Sequence, residues 1–414
     1  MSKKLTSMDM KWILYDVGNS AFVLLIASVL PIYFNSLATA GGLSETEYLT
    51  WWSYAASIAT VITAFAGPIF GTLADFPGHK KRIFLISALG GAACLFCFTF
   101  PGQWLGFLVL FIAAKILYNI SLVIYDSMLI DVCDEDQMDM VSSRGYAWGY
   151  LGSCIPFLVS LGLILGQENL GLSMTVIMTL VFMINAGWWV LFTMPLAISY
   201  KQKHSTARSG RIVHQTFGRL GKVLKDITKD KKVFWFILAF FFYIDGVYTI
   251  IDLATAYGTS LGLSQTGLLL ALLLTQIVAF PSAILFGSLS KTQSVGKLIR
   301  VGIAAYFCIA VFALFLHSIW QFWILAFAVG CFQGGIQALS RSYFARIIPA
   351  DQSGEYFGLY DIAGKGASFL GTTLVGIVTQ LTGQQNIAVG ALAILFVIGF
   401  ILFGKTDKLV EAAQ

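Results

Sequence analysis

The chain has 414 residues, of which 57% are hydrophobic and only 11% charged, and its mean hydropathy is +0.80. Soluble globular domains normally carry about a quarter charged residues, so the composition excludes that class and indicates a membrane protein. The formal net charge of +5 lies mainly in short polar stretches and at the chain ends, which predicts a membrane topology and no nucleic-acid partner.

Twelve apolar segments follow one another along the chain, and each is long enough to cross a bilayer as a helix, which takes about 20 residues. The first is long and lacks a small-residue cleavage site, so we interpret it as a retained span and not as a signal peptide. The sequence predicts an all-α membrane protein of about twelve spans. The segments run approximately over 12–37, 48–73, 83–101, 104–130, 143–166, 171–198, 233–258, 264–289, 298–316, 318–345, 355–381 and 384–404.

Lysine and arginine are unevenly distributed over the connections. They precede segment 1, lie between segments 2 and 3, 6 and 7, and 8 and 9, and follow segment 12, whereas 38–47 and 167–170 contain neither. This distribution predicts that both termini are cytoplasmic. The connection between segments 4 and 5 is acidic instead, and its carboxylates either pair with the cationic turn at 80–82 or are solvated. The acidic residues of this connection are Asp131, Asp134, Glu135, Asp136 and Asp139.

The stretch 200–232 is basic and polar, and it is the one linker that the sequence predicts. Its apolar residues recur at helical spacing, which predicts an amphipathic helix on the inner membrane surface, with cations facing anionic lipid head groups. A surface connector is the simpler interpretation and a regulatory role is the alternative. The predicted domains are a six-helix half at 1–199, this linker at 200–232 and a second six-helix half at 233–414.

A charged turn joins segments 2 and 3, Gly71-Thr-Leu-Ala-Asp-Phe-Pro-Gly-His-Lys-Lys-Arg82, and a weaker copy begins about 216 residues later at Gly287. A motif that recurs at half the chain length indicates two halves of one design. The turn resembles the loop between helices 2 and 3 of the major facilitator superfamily, and departs from it at Phe76. That resemblance implies the major facilitator fold, with two pseudo-symmetric halves. The matching residues are Gly71, Leu73, Asp75, Gly78, Lys80, Lys81 and Arg82.

Polar and ionisable side chains inside apolar segments are costly, and they mark pathways, relays or internal pairs. In segments 1, 4, 7, 10 and 11 such residues fall at helical spacing, on one face of each helix, as a central aqueous cavity requires. The superfamily resemblance implies that segments 1, 4, 7 and 10 line that cavity. The predicted solute-binding residues are Asn19, Lys115, Asn119, Asp245, Gln333, Gln337 and Lys365.

Three carboxylates are the predicted proton-coupling groups: Asp245, Asp361 and Asp16. Asp245 comes first because it lies near the middle of segment 7, where burial favours a neutral carboxyl group. Lys115 and Lys365 either bind a carboxylate of the solute or neutralise Asp245 and Asp361. Asp361 and Lys365 are four residues apart, so they also fit a simple pair along one helix.

Asp126 in segment 4 and Arg341 in segment 10 occupy equivalent positions of the two halves, because they are about 215 residues apart. Opposite charges at equivalent positions are expected to meet across the pseudo-twofold axis. We predict that Asp126 and Arg341, with Asp16, form an inner gate that closes when the cavity faces outward. A permanent ion pair between helices is the alternative.

Small and aromatic residues add two predictions. Glycines in segment 5, at Gly145, Gly149 and Gly152, and in segment 11, at Gly364, Gly366 and Gly371, predict close helix approach. Trp148 and Tyr150 in segment 5 either reach the cavity or pack between helices, and packing is the simpler interpretation.

No enzyme signature is apparent. The sequence has no phosphate-binding loop of the form G-x-x-x-x-G-K-[ST], and its four histidines are scattered in connections and at segment ends. Cys94 and Cys97 have metal-site spacing but no second pair, so we interpret them as packing residues. We therefore predict no catalytic residues, no cofactor and no metal, and any pumping must use an ion or solute gradient.

Three stretches resemble a single family, the vacuole-effluxer-like transporters: autophagy-related vacuolar amino-acid exporters and their bacterial relatives. They are Tyr15-Asp-Val-Gly-Asn-Ser-Ala-Phe22, Ser142-Ser-Arg-Gly-Tyr-Ala-Trp-Gly-Tyr-Leu-Gly152 and Gln333-Gly-Gly-Ile-Gln-Ala-Leu-Ser-Arg-Ser342. The resemblance implies secondary transport of a small-molecule substrate, with amino acids or similar zwitterions expected.

We further expect proton coupling, contact with membrane lipids, a monomer, and a bacterial cytoplasmic membrane, which the compact connections favour. The first alternative is export of another amphipathic metabolite, a drug or a lipid. The second, from a different class, is a non-transporting membrane receptor or scaffold. Charges retained on several cavity-facing segments argue against the scaffold.

Overall fold

The computed structural model describes residues 4–100, 102–206, 225, 227–260 and 262–412. Their regular secondary structure consists of helices. Most of the amphipathic helix predicted for the linker falls on 207–224 and 226, which lie outside the described residues.

Twelve long helical segments are present in the described part of the chain. Eleven of them are long and apolar enough to cross a membrane, and the other, α11, has 30 residues with a shorter apolar part at Leu370–Thr382. The prediction of an all-α protein with about twelve spans is confirmed. The helices are α1 (Ser7–Ala40), α2 (Glu45–Ala74), α3 (His79–Phe96), α4 (Trp104–Val132), α5 (Met138–Leu165), α6 (Met174–Ser199), α7 (Lys231–Ser260), α8 (Gln265–Leu289), α9 (Val295–Ala313), α10 (Ile319–Ile347), α11 (Ser353–Thr382) and, forming the last span together, α12 (Gln385–Ala391) and α13 (Ala393–Glu411).

The two ends of the chain lie on one face of the helix bundle, which we call the terminal face. At the start of α1, Lys11 Nζ donates a hydrogen bond of 2.7 Å to Ser199 Oγ at the end of α6. Near the end of α13, Asp407 pairs with Arg300 at the start of α9, with 2.9 Å between the charged atoms. Helices α2, α6, α8 and α10, which begin on the opposite face, each start after a serine whose side chain accepts a backbone N–H, as is typical of helix N-caps.

Glycines allow α1 and α5 to approach closely within the first six helices. A Cβ atom at Gly152 would lie 2.5 Å from Val17 Cγ1, and one at Gly149 would lie 3.2 Å from the backbone oxygen of Asp16. Gly145 also faces Asp16, whose carboxylate would overlap a Cβ atom there. The close approach predicted for the glycines of segment 5 is confirmed.

The equivalent helices of the second group, α7 and α11, are also packed through glycine. A Cβ atom at Gly371 would overlap Thr249 of α7, and one at Gly364 would touch Phe240 at 3.4 Å. The side-chain position of Gly366 lies outside the described residues. Helix α11 therefore packs closely on α7 through glycine, as α5 does on α1, and the closer of these two contacts is at Gly371.

Helices of the two groups meet most closely near the terminal face. A Cβ atom at Gly71 of α2 would overlap the carbonyl oxygen of Gly354 in α11, and one at Gly287 of α8 would lie 2.6 Å from Ser143 Cβ of α5. These contacts join both copies of the repeated motif to the other six-helix group.

The α1–α5 contact provides a stability test. Gly152→Ala would press a methyl group into Val17, and overpacking of this kind costs about 1–3 kcal/mol. We expect a lower melting temperature of the purified protein. Gly162→Ala in the same helix is the matched control, because nothing lies within 4 Å of its added Cβ atom. Equal melting temperatures for the two variants would contradict the close packing.

Candidate functional site

A cavity of about 320 Å³ lies between the two groups of six helices. Helices α1, α4 and α5 line it from one group, and α7, α8, α10 and α11 from the other. Its wall thus includes the four helices expected from the superfamily resemblance, together with three more. The predicted site residues on this wall are Asp16, Asn19, Asp126, Gln333, Gln337, Arg341 and Asp361.

A cluster of charges around Arg341 forms the floor of the cavity toward the terminal face. The guanidinium donates to Asp126 Oδ1 at 2.9 Å and to Asp16 Oδ2 at 3.4 Å. It also donates to the hydroxyl of Ser142 at 2.9 Å and to the Ser142 carbonyl at 3.0 Å. The expected contact between Asp126 and Arg341 is therefore present, and Asp16 takes part in it.

Aromatic rings enclose the same guanidinium, which is 2% exposed. Its central carbon lies 4.6 Å from the ring centre of Trp12 and 4.4 Å from that of Tyr146, distances typical of cation–π contact. Tyr125 stacks on Trp12 and donates its hydroxyl to Asp16 Oδ2 at 2.8 Å. Charge, hydrogen bonds and ring faces together compensate a cation that is removed from water.

The carboxylate of Asp75 binds the start of α11. It accepts hydrogen bonds from the backbone N–H groups of Gly354, at 2.8 Å, and Glu355, at 2.9 Å. Free N–H groups and the helix dipole make the start of a helix favourable for an anion. Lys80 lies 3.6 Å from Asp75 Oδ1 and donates to Ser353 Oγ at 2.8 Å, so the charged turn connects α2 and α3 to the other six-helix group.

The segment that follows α6 is attached to this turn through Asp131 at the end of α4. Asp131 accepts hydrogen bonds from the Tyr200 hydroxyl and from the backbone N–H groups of Lys203 and His204. Lys80 Nζ lies 3.6 Å from Asp131 Oδ2, the oxygen that accepts from Tyr200. Burial and the adjacent carboxylate of Asp131 raise the pKa of Tyr200 well above its usual value, so its hydroxyl stays a donor.

The carboxylates of the acidic connection between α4 and α5 have three kinds of surroundings. Asp131 pairs with the cationic turn, as one of the two interpretations of this stretch held. Asp139 instead pairs with Arg346 of α10 and accepts a hydrogen bond from Ser342 at 2.6 Å. The other three carboxylates are exposed: Asp134, Glu135 and Asp136.

Other residues of the turn have separate contacts. Gly78 has a positive φ of 74°, which favours glycine, and its N–H donates to Gln202 Oε1 at 3.0 Å. Lys81 donates to the carbonyl of Ile198 at 3.0 Å, whereas Arg82 is exposed. Gly78 and Lys81 therefore hold the turn to the end of α6.

Three residues predicted to bind solute are not on the cavity wall: Asn119, Asp245 and Lys115. Asn119 faces α2, where it donates to Thr63 Oγ1 at 3.3 Å. Asp245 is fully buried, accepts a hydrogen bond from Thr249 at 3.4 Å and faces Gly371 of α11. The helical spacing gave the correct side of each helix, but neighbouring helices cover that side at these depths.

The predicted lysines need a similar correction. Lys115 is half-buried and does not line the cavity. Its charge acts on the carboxylate of Asp252. Lys365 lies in α11, and its side chain falls outside the described residues.

The cavity wall also contains groups that the helical stripes did not single out. Tyr150 reaches it and donates to Gln337 Oε1 at 3.1 Å, so the packing interpretation was wrong for Tyr150. Trp148 does pack, edge to face, on Phe280. The sequence signal that could have identified the aromatic residues of the wall is an aromatic side chain within a polar stripe. The other unpredicted polar residues of the wall are Ser20, Tyr118, Tyr146, Ser153, Tyr248, Gln276 and Tyr360. Asp252, which belongs to the same polar stripe of α7 as Asp245, also lies on the wall.

Comparison with known proteins decides the family. The model of the vacuole effluxer Atg22-like family matches residues 7–136 and 131–409. The chain belongs to this family. The chain is 40% identical over 407 residues to the MFS-type transporter YxiO of Bacillus subtilis (strain 168), covering 97% of this chain and 95% of that protein.

More distant members and solved structures agree with this assignment. The Atg22-like chain is 24% identical over 308 residues to autophagy-related protein 22-1 of Neosartorya fischeri, with 66% of this chain covered, and it spans about 50% of that protein's length. The structure of the transporter FucP in the outward conformation matches with a TM-score of 0.72 at 14% identity, over 97% of both chains. The protein has the major facilitator fold and is a multi-pass membrane transporter, and its relatives are transporters and not enzymes.

Removal of the Arg341 charge tests the cluster at the cavity floor. In Arg341→Gln, Asp16 and Asp126 lose their cation, and breaking a buried ion pair in this way costs about 3–5 kcal/mol. We expect a large fall in melting temperature, partly recovered when Asp126→Asn is added. Arg300→Gln is the matched control, because Arg300 is more exposed and pairs within one six-helix group. Absence of any recovery in the double variant would contradict the coupling.

Proposed function

We propose that this Atg22-like protein is a secondary transporter that moves a small zwitterion, most simply an amino acid, by alternating access. One observation carries the proposal: both six-helix groups line a cavity that holds carboxylates and a guanidinium, and contacts between the groups lie beneath it. A volume of about 320 Å³ is at the small end of ligand sites, which span about 300–1,000 Å³. The site therefore suits a small solute.

The terminal face is closed by several contacts between the two groups. They include Asp75 with the start of α11, Ser342 with Asp139, and Arg341 with Asp126. The distribution of lysine and arginine supports a cytoplasmic location for this face. The conformation would then be outward-facing, with the cavity closed to the cytoplasm.

The charges on the wall support a zwitterionic solute. Asp252 and Asp361 offer carboxylates to an ammonium group. The amide N–H groups of Gln337 offer hydrogen-bond donors to a carboxylate, and Lys115 lies behind the wall with its charge acting on Asp252. Opposite charges at one site are what a zwitterion requires.

Proton coupling is the expected energy source. Asp16 and Asp126 share one guanidinium, so a proton on either carboxylate would weaken the closure of the terminal face. Asp361 lines the same cavity, whereas Asp245 is enclosed between α7 and α11. We therefore assign the coupling first to Asp16 and Asp361, ahead of Asp245.

The complete cavity within one chain supports a monomer as the working unit. The similarity to a Bacillus protein over 97% of the chain supports a bacterial cytoplasmic membrane. Lipids would contact the outward apolar side chains of the spans, as the exposed Phe65, Ile86 and Leu191 suggest.

A second candidate is export of an amphipathic metabolite or drug. Tyr118, Tyr146, Tyr248 and Tyr360 add ring faces to the cavity wall, and aromatic rings favour apolar and cationic solutes. Melting temperatures measured with both classes of compound separate the candidates. Amphipathic compounds would stabilise the protein where amino acids do not.

The gate has its own test. Arg341→Gln should open the terminal face, because it removes contacts that join α10 to α1, α4 and α5. We expect faster labelling of a single cysteine at Ser143, buried where α5 meets α8, and slower external labelling of one at Ser153 on the cavity wall. Arg300→Gln, whose pair lies within one group, is the control. Unchanged labelling at both positions in Arg341→Gln would favour the permanent ion pair.

Substrate binding is tested by melting temperature and by flux into proteoliposomes. A solute at about 100 times its Kd should stabilise the folded protein by about 2.7 kcal/mol. We expect stabilisation by neutral amino acids and flux that depends on a pH gradient. Asp361→Asn, on the cavity wall, should weaken binding about tenfold or more, whereas the matched Asp245→Asn should not. Stabilisation by other compounds alone would replace the amino acid, and a flat panel with no flux would contradict transport of these solutes.

A further inference from the structure

An apolar side pocket of about 60 Å³ lies between α7, α8 and α10, entirely within the second six-helix group. Leu268, Leu272, Leu325 and Val329 supply much of its wall. The hydroxyl of Thr275, which also lies there, is used inside the protein, since it donates to backbone carbonyls of α8 and α10. The pocket therefore presents an apolar surface to whatever enters it.

The side pocket adjoins the central cavity. Three residues line both spaces: Ile251 of α7, Gln276 of α8 and Gln333 of α10. Asp252, the next residue after Ile251, lines the central cavity. A solute whose head lies near Asp252 therefore has an apolar recess immediately beside it.

Gln276 is the polar group at this junction with an unused acceptor. Its side-chain oxygen is enclosed by protein and accepts no hydrogen bond from the described residues. A buried acceptor without a donor costs about 1–3 kcal/mol, so this oxygen is suited to an N–H group of a bound solute. Gln276 lies outside the predicted polar stripes, because α8 carries none.

We propose that the side pocket binds the aliphatic group of the transported solute, while the solute's polar head stays in the central cavity and donates a hydrogen bond to Gln276. This rests on the proposed transport of small zwitterions and adds the determinant of their selectivity. A cavity needs about 10–15 Å³ to hold one water molecule, so the pocket holds on the order of four to six heavy atoms. Short aliphatic side chains fit, whereas an indole ring and charged chains do not.

Binding of two homologous series tests the pocket. The first runs from glycine and alanine through 2-aminobutyrate, norvaline and norleucine, and the second consists of primary alkylamines of the same chain lengths. Burial of one methylene group contributes about 0.8 kcal/mol, so affinity in the amino-acid series should rise roughly fourfold per carbon until the pocket is full. Melting temperature against ligand concentration gives the affinities.

Three variants and one control test whether the effect belongs to the side pocket. Ala326→Leu, at a residue of the pocket wall, fills the pocket and should abolish the gain from longer chains. Leu272→Ala enlarges it and should move the optimum to a longer chain. Leu270→Ala, a substitution of the same kind at an outward-facing leucine of the same helix, is the control and should leave the series unchanged. Gln276→Leu should weaken every member of the series by a similar factor, about tenfold.

The outcomes separate this proposal from the proposed function. Amino-acid binding with a chain-length dependence that Ala326→Leu and Leu272→Ala leave unchanged would overturn the side pocket and keep amino-acid transport. Chain-length dependence among the alkylamines alone, abolished by Ala326→Leu, would support the pocket and overturn the zwitterion. Affinities independent of chain length in both series, or no binding in either, would overturn the pocket.

Discussion

Burial of the Arg341 guanidinium is the constraint on which the arrangement of the helices depends. A cation at 2% exposure inside an apolar bundle is stable only with charge and hydrogen-bond partners around it. Those partners come from α1, α4 and α5, whereas Arg341 itself belongs to α10. Gly145 faces both Asp16 and Arg341, where a larger side chain would displace the pair. One cation thereby fixes the relative position of the two helix groups at the cavity floor.

The charged turn between α2 and α3 applies the same principle nearer the terminal face. Asp75 is buried, but it is placed at the start of α11, where two N–H groups receive it. Lys80 lies between Asp75 and Asp131, and Asp131 in turn holds the segment that follows α6. The closed face is therefore a connected set of charges that reaches the beginning of the linker. Movement of α11 away from α2 would have to break several of these contacts together.

The cavity above this floor is not symmetric, although the two helix groups are related in design. The charge cluster gathers around α1, α4 and α10, whereas the apolar side pocket belongs to α7, α8 and α10 alone. In the mechanism that we propose for this Atg22-like transporter, the two tasks are separate: charges near the floor hold the gate, and the recess beside Asp252 selects the solute by shape. Asp361 on α11 and Asp252 on α7 also line this cavity.

The sequence by itself determined the class of the protein, its helices and the carboxylate partners of Arg341. The length of an apolar segment decides whether it can span the membrane. A buried cation such as Arg341 needs an anion at the equivalent depth of the other half. The spacing of residues along the chain was therefore enough to predict both the spans and this pairing. The tertiary structure alone decided which residues of a polar stripe reach the cavity. Asp245 and Asp252 share one face of α7, but α11 comes close at Gly371 and covers only the first. The cavity position of Tyr150 and the open acceptor of Gln276 likewise depend on neighbouring helices, because exposure at a given depth is a property of packing and not of helical periodicity.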